Sequence, residues 1–327
     1  MRRVFVSALC IVLLTACGAA GTTATAPDQR PVESIRLPMG YIPNVQFAPF
    51  YVAADKGYFE EEGIEIEFDY KFETDGVALV GAGELPFAMV SGEQVPLARA
   101  QGLPVVYAMA WWHGYPVAVA ALEDSGIRTV QDLRGRKVGI PVLAGASYVG
   151  LRALLNSAGV GEEEIVLDVV GYNQVEALAA GRVDAAVVYA NNEPVQLAAQ
   201  GYRAVVIRVA DFVDLASNGL LTSERTISEH PDLVRRMIRA VLRGVDDVIA
   251  DPDGAYALCR NHVENLAEDD PVQQEVLRQT IPFWTSDRPG WSDLAAWQNM
   301  EATLRTMGLL EQPLDITRAF TNDLLPG

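Results

Sequence analysis

Strand-like and helix-like stretches alternate along most of this sequence, and they do so in two successive runs. In the first, residues 35–41 read as a strand and 47–57 as a helix. Residues 64–70 alternate apolar and acidic side chains, the period-two signature of a half-buried strand. A short helix over 76–83, a buried strand over 87–90, a helix over 93–101 and strands over 105–110 and 117–122 follow. The second run opens with a short helix and turn over 130–136 and a strand over 137–141. It continues with helix 147–158, strand 165–170, helix 174–180, strand 185–189, helix 194–200 and strand 204–209. Such a rhythm predicts mostly parallel sheets covered by helices. Beyond Asn218 the character turns helical. Pro231 suits a first helical turn, and Val234, Met237, Ile238, Val241, Val245 and Ile249 keep one face apolar. Residues 251–262, 271–284, 292–307 and 314–325 also read as helices. The expected fold is α/β and bilobal, with the chain crossing near 120–125 and again near 217–222. Lobe 1 then comprises 33–120 and 222–327, lobe 2 comprises 121–221, and the ligand site is the cleft between them.

A chain of 327 residues has room for roughly two domains. Half of its residues are hydrophobic, enough for a sizeable core. Acidic residues number 43 against 25 basic ones, giving a net charge of −18. With no Lys/Arg run, this argues against nucleic acid and anionic membrane surfaces as partners. At the N-terminus, Met1-Arg2-Arg3 precedes an apolar stretch over 4–14. That stretch falls short of the about 20 residues a membrane span needs and fits a secretory signal. Leu14-Thr15-Ala16-Cys17-Gly18 resembles a bacterial lipobox. The resemblance implies removal of a signal peptide over 1–16 and acylation of Cys17 with diacylglycerol and palmitate; an ordinary signal peptide containing a chance Cys is the alternative. Residues 17–32 are small, polar and Pro-containing and read as a flexible tether. The expected product is a monomer anchored by lipid to the cell membrane on its extracytoplasmic (periplasmic) side. Once Cys10 leaves with the signal and Cys17 is acylated, Cys259 stands alone, so no disulfide framework or thiolate metal site is expected.

Catalytic motifs are sparse. The sequence has no G-x-x-x-x-G-K-[ST] phosphate loop, and Gly81-Ala82-Gly83 has Pro86 where a dinucleotide fingerprint needs its third glycine. Gly145-Ala146-Ser147-Tyr148-Val149-Gly150 follows a strand but is one residue off the spacing of a nucleophile elbow. It keeps a Ser147 hydrolase as an alternative. His113, His230 and His262 lie far apart without ligand spacing, so no metal is expected. Glu60-Glu61-Glu62 and Glu268-Asp269-Asp270 read as solvated helix ends.

Ligands of open α/β sheets bind beyond the carboxyl ends of the strands. The loops there carry Tyr41, Asn44 and Phe47 after the first strand, then Ser91 and Glu93, then Trp111, Trp112 and Tyr115. The second run contributes Ser147 and Tyr148, then Tyr172 and Asn173, then Tyr189, Asn191, Asn192 and Glu193. Trp111 and Trp112 are adjacent, so only one of them is expected to face the cleft. None of these loops contains Arg or Lys, the side chains that clamp anionic ligands. Aromatics and asparagines predict a neutral or proton-donating ligand with a flat apolar face.

Gly40-Tyr41-Ile42-Pro43-Asn44, the run APFYVAADKGYFEEEG over 48–63 and Asp132-Leu133-Arg134-Gly135-Arg136-Lys137-Val138-Gly139 resemble ABC-transporter substrate-binding proteins of the branch related to thiamine-pyrimidine synthases. That resemblance implies two lobes closing on one small molecule, a membrane permease and a separate ATPase. Within the branch, residues 41–51 and 72–97 look most like riboflavin-binding lipoproteins. They imply riboflavin as transported ligand, no cofactor and no reaction. On this reading Tyr41, Trp111 or Trp112, Tyr148 and Tyr189 stack on the ring. Asn44, Asn173, Asn191, Asn192 and Ser147 bond its edge or tail, and Glu93 and Glu193 accept from its N–H or hydroxyl groups. A thiamine-related pyrimidine is the alternative ligand. A pyrimidine synthase is the alternative of another class, although the Cys-rich motif of the fungal enzymes is absent. A lipoprotein sensing a ligand for a receptor is a third.

Overall fold

A computed structural model describes residues 32–326. The expected signal peptide, the acylated Cys17 and nearly all of the tether lie outside the described residues. The first run contains β1 (Glu33–Pro38), α1 (Ala48–Asp55), α2 (Tyr58–Glu61), β2 (Ile64–Asp69), α3 (Glu73–Gly81), β3 (Ala88–Val90), α4 (Gln94–Ala100) and β4 (Val105–Ala110). The second contains β5 (Val117–Leu122), β6 (Lys137–Ile140), α5 (Gly145–Ser157), β7 (Val166–Val169), α6 (Gln174–Ala179), β8 (Ala185–Tyr189), α7 (Glu193–Ala199) and β9 (Ala204–Arg208). Then come β10 (Gly219–Ser223), α8 (Glu224–Glu229), α9 (Pro231–Ala250), α10 (Pro252–Cys259), α11 (Pro271–Trp284) and α12 (Leu294–Thr306).

The sheets are mixed rather than mostly parallel. In the second lobe the strand order is β7-β6-β8-β5-β9; β6 pairs parallel with β7 and β8, while β5 runs antiparallel to both β8 and β9. In the first lobe β1 pairs parallel with β2, and β10 inserts antiparallel between β3 and β4. The lobe boundaries shift accordingly. Val117–Leu122, expected in lobe 1 up to residue 120, belongs to the second sheet, and β10 belongs to the first. The chain therefore crosses at residues 111–116 and again at 209–218.

These crossing segments lie side by side. The N–H groups of Trp111 and Trp112 both donate to the Asn218 carbonyl at 3.3 Å. Ser217 Oγ donates to the Gly114 carbonyl at 2.9 Å, and Tyr107 Oη to the Ser217 carbonyl at 3.2 Å. The last helices lean on both lobes: α11 packs on α7 as well as α10, and α12 packs on α5. Residues 314–325, expected to be helical, contain only one helical turn at Ile316–Arg318. Their backbone is spent elsewhere. Tyr107 N–H donates to the Ala319 carbonyl at 2.8 Å and Thr321 N–H to the Tyr107 carbonyl at 3.0 Å, so this segment borders β4.

The apolar face of α9 packs on α1, and its basic face holds the acidic run before β2. Arg239 makes a two-point bond to Glu62 at 2.9 and 2.6 Å, and Arg243 bonds Glu61 at 2.6 Å, so these glutamates are partnered rather than merely solvated. The helices approach so closely that a Cβ at Gly244 would stand 2.0 Å from the Pro49 carbonyl oxygen. Because α1 follows directly from the loop carrying Tyr41 and Phe47, this contact positions one wall of the cleft. Gly244→Ala should destabilise the protein by about 1–3 kcal/mol through overpacking, read as a lowered urea midpoint. An unchanged midpoint would mean that α1 shifts freely.

Candidate ligand-binding cleft

The carboxyl ends of β1, β3, β6 and β8 converge on a cavity of about 350 Å³ between the lobes. That falls within the roughly 300–1,000 Å³ of small-molecule sites. The first lobe supplies Gly40, Tyr41, Gln46, Phe47, Phe72, Glu73, Thr74 and Gln94. Trp111, Trp112 and Asn218 come from the crossing segments, and the second lobe adds Val142, Ser147, Tyr172, Gln174, Tyr189, Asn192 and Glu193. Tyr41 and Tyr172 meet edge to face from opposite lobes, with centroids 5.1 Å apart. Tyr172 is 53 % exposed and Phe72 70 %, so both reach solvent at the rim.

Both tryptophans line the cavity, against the expectation that only one would. β4 ends at Ala110, so the pair lies past the strand and escapes its strict alternation. Trp111 stacks between Phe47 (5.8 Å) and Trp284 (6.1 Å), while Trp112 touches Tyr189 edge to face at 5.9 Å and Phe283 at 5.1 Å. The indole N–H groups of both are buried without a protein partner, as is Asn218 Oδ1. Buried polar groups are ordinarily hydrogen-bonded; here unmet donors and an unmet acceptor belong to residues lining one cavity.

Tyr41, Phe47, Ser147, Tyr172, Tyr189, Asn192 and Glu193 also line it. Other expected site residues stand behind the wall. Asn44 Oδ1 caps a short turn by accepting from Gln46 N–H at 3.0 Å and from Gln46 Nε2 at 3.1 Å. Asn191 Nδ2 donates to Gln46 Oε1 at 2.7 Å and to Thr280 Oγ1 at 2.8 Å, which ties the second lobe to α11 and the first. Tyr115 is buried and donates to the Ala146 carbonyl at 3.0 Å, holding the start of α5. Tyr148 Oη bonds Glu162 at 2.8 Å and Arg152 at 3.0 Å, outside the cavity lining. Asn173 Nδ2 donates to the Val170 carbonyl at 3.1 Å. Ser91 and Glu93 are buried beneath Glu73. The sequence reading missed Gln46, Phe72, Glu73, Thr74, Gln94, Gln174 and Asn218. The loop after β2 was the overlooked signal, since it too leaves the carboxyl end of a strand.

Ser147 has no hydrogen bond to any histidine among the described residues: His262 pairs with Asp55 at 2.8 Å and His113 accepts from Gly290 N–H at 3.4 Å. A hydrolase would need a base at that serine.

Among the described residues, none lining the cavity is Arg, Lys or His. Its ionisable groups are carboxyls and phenols. Glu193 Oε2 accepts from Tyr189 N–H at 2.8 Å and Oε1 from Asn192 Nδ2 at 3.1 Å, yet burial pushes its carboxyl up to about 7. Burial, then the neighbouring Glu93, pushes Glu73 up to about 8, and burial also raises Glu93. A carboxyl held above its unfolded value of about 4.3 binds more protons in the folded state, so its contribution to stability falls as pH rises through that window. Glu193→Gln should therefore gain stability relative to wild type between about pH 5 and pH 8 in urea denaturation. A constant difference across that range would contradict it.

The NMT1/THI5 like family model matches residues 44–255. The riboflavin-binding protein RibY of Chloroflexus aurantiacus is 40% identical over 345 aligned positions, covering 100% of this chain and 98% of that protein. A formylaminopyrimidine-binding protein of Halalkalibacterium halodurans is 26% identical over 96% of each chain. A 4-amino-5-hydroxymethyl-2-methylpyrimidine phosphate synthase of Legionella pneumophila is 24% identical over 89% of this chain and 92% of that one. Among solved structures, the periplasmic aliphatic sulphonate binding protein SsuA of Escherichia coli superposes with a TM-score of 0.72 at 16% identity, covering 90% of this chain and 94% of that one. The last likeness shows the fold: a bilobal, type II periplasmic-binding-protein architecture.

Proposed function

This chain belongs to the NMT1/THI5 like family, and from that premise we propose that it is the extracytoplasmic solute-binding component of an ABC importer. It captures riboflavin and delivers it to a membrane permease driven by a separate ATPase. The observation that carries the reading is the cleft: aromatic side chains from both lobes, buried polar groups without protein partners, and no cationic side chain among the described lining residues. Isoalloxazine is flat and uncharged, with N–H and carbonyl groups along one edge, and its ribityl tail is a polyol. Rings stack on such a face, while indole N–H groups and amides meet its polar edge. The name of the RibY relative supports the same ligand. SsuA shares the fold, but a sulphonate is an anion, which a site of this chemistry would meet without a guanidinium or ammonium.

Capture needs no chemistry from the protein. A ligand touching Tyr41 and Trp112 on one side and Tyr172 and Tyr189 on the other stabilises the arrangement in which the lobes face each other. The expected acylated Cys17 would tether the molecule beside its permease. A second reading, an aminopyrimidine ligand, is favoured by the buried Glu193 and by the name of the Halalkalibacterium relative. The test is a titration of the signal-less protein with riboflavin, following flavin and tryptophan emission. Saturable quenching at micromolar ligand or below, unmoved by excess aminopyrimidine, is expected. Trp112→Ala and Tyr189→Ala should each weaken binding by about 10- to 100-fold. No quenching would remove riboflavin, and intact affinity in both variants would remove these residues from the site.

A further inference from the structure

Beside the stacking rings, one buried polar group remains unexplained. Ser91 Oγ lies 2.5 Å from Glu73 Oε2 and also within hydrogen-bond reach of Glu93 Oε1. A hydroxyl carries one hydrogen and can donate to only one of two carboxyls. Facing a second ionised carboxylate, the serine oxygen would set lone pair against lone pair, so one of the two carboxyls must hold a proton and donate it. Glu93 is 0% exposed, and its Oε2 has no partner within the protein. Its Oε1 accepts from Gln94 Nε2 at 3.2 Å and lies 4.0 Å from where a Cβ would stand on Gly145, the first residue of α5. The positive end of that helix favours the charge on Glu93. The proton then belongs on Glu73, which lines the cavity. Oε2 meets the Ser91 hydroxyl and the Ser91 backbone N–H also bonds this carboxyl, which still leaves Oε1 with lone-pair capacity. That Oε1 lies beside Gly40, where a Cβ would come within 3.4 Å of it and 2.6 Å of Glu73 Cγ.

We propose that Glu73, Ser91 and Glu93 form a proton-sharing chain in the wall of the cleft, and that Glu73 Oε1 ends this chain by accepting an N–H donor of the bound ligand. The contact rests on the reading of the cleft given above, and it deepens that reading by naming what recognises the ligand's donor edge. The imide N–H of isoalloxazine and the amino group of an aminopyrimidine share this chemistry. Tyr115, Tyr172 and Tyr189 face the chain, and Glu193 stands in the same cavity. Asp75 on α3 is exposed, and Lys71 pairs with Asp69 at 3.1 Å, so neither neutralises it. Burial and Glu93 hold the Glu73 carboxyl at about 8. A flat ligand laid over Glu73 removes it further from water beside Glu93, which favours the protonated form by more than the ligand's N–H favours the ionised one. Affinity therefore falls once the proton leaves.

Two measurements test this. The first needs no ligand: in a Glu193→Gln background at neutral pH, infrared spectroscopy should show the carbonyl stretch of a protonated, buried carboxyl. Adding Glu73→Gln should remove it. Absence of that band overturns the proton-sharing chain. The second is riboflavin affinity against pH, kept below ionisation of the flavin itself. Wild type should weaken above about pH 8 by up to tenfold per pH unit. In the Glu193→Gln background, Glu73→Gln offers an amide N–H to Ser91 and a carbonyl to the ligand at every pH, so its affinity, whatever its level, should stay flat where the Glu193→Gln parent weakens. An N3-methylated flavin should bind at least tenfold more weakly than riboflavin to wild type. Riboflavin binding that ignores both pH and N3-methylation overturns the ligand contact and leaves the flavin reading intact. A band without binding of riboflavin or aminopyrimidine overturns the contact and the flavin reading together, and retains only the proton chain.

Discussion

The Asn218 carbonyl accepts two hydrogen bonds, from the N–H groups of Trp111 and Trp112, and much of the molecule is arranged around that junction. It joins the two crossings of the chain, so each lobe inherits its orientation from backbone bonds rather than from a loose linker. It also sets both indoles at the back of the cavity, between strands of different sheets. A second tie stands on the α11 side. His113 N–H donates to the Phe283 carbonyl at 2.6 Å, and Asn191 holds Thr280 and Gln46 together. The cleft is thus bounded by two sets of directional bonds, and ring positions on its walls follow from them.

Electrostatics narrows what such a cleft admits. With every carboxyl ionised the chain carries a net charge of −18, and of those carboxyls Glu73, Glu93 and Glu193 are all raised by burial. With no cation among the described lining residues, leaving every carboxyl ionised would cost several kcal/mol per buried charge. Retaining protons on some of them is the less costly arrangement, and it lowers the negative charge of a ring-walled space. An anion would meet carboxyls there, and a neutral heteroaromatic meets matched polarity. A shared fold does not decide which ligand is held; the chemistry of the site does.

Much of this was legible in the sequence, for local reasons. Strand 64–69 and the long amphipathic α9 announce themselves by period, and the loops beyond the strand ends hold Tyr41, Tyr172, Tyr189 and Glu193. What was illegible depends on partners far along the chain. Nothing in residues 219–223 says that they slip antiparallel between β3 and β4, and nothing in 319–321 says that their backbone belongs to Tyr107. The same holds within the site. Asn44 and Asn191 look like ligand contacts because asparagine is a good one, yet both are engaged through Gln46. Tyr148 shares a helix with Ser147, but one residue is about 100° of helical turn, enough to carry its hydroxyl to Glu162.

That indirect role gives the polar residues behind the wall a function of their own. Asn44 fixes Gln46, Gln46 accepts from Asn191, and Asn191 reaches Thr280 on α11, so a chain of side-chain bonds runs between the lobes beside the cavity. Tyr115, holding the start of α5 by the Ala146 carbonyl, supports the opposite wall. Each group is buried or nearly so, and loss of one partner would strand the next at a cost of about 1–3 kcal/mol. Such directional bonds hold the two lobes in the arrangement seen here. On the proposed reading, a ligand that touches rings from both lobes adds its contacts to these bonds and favours that arrangement.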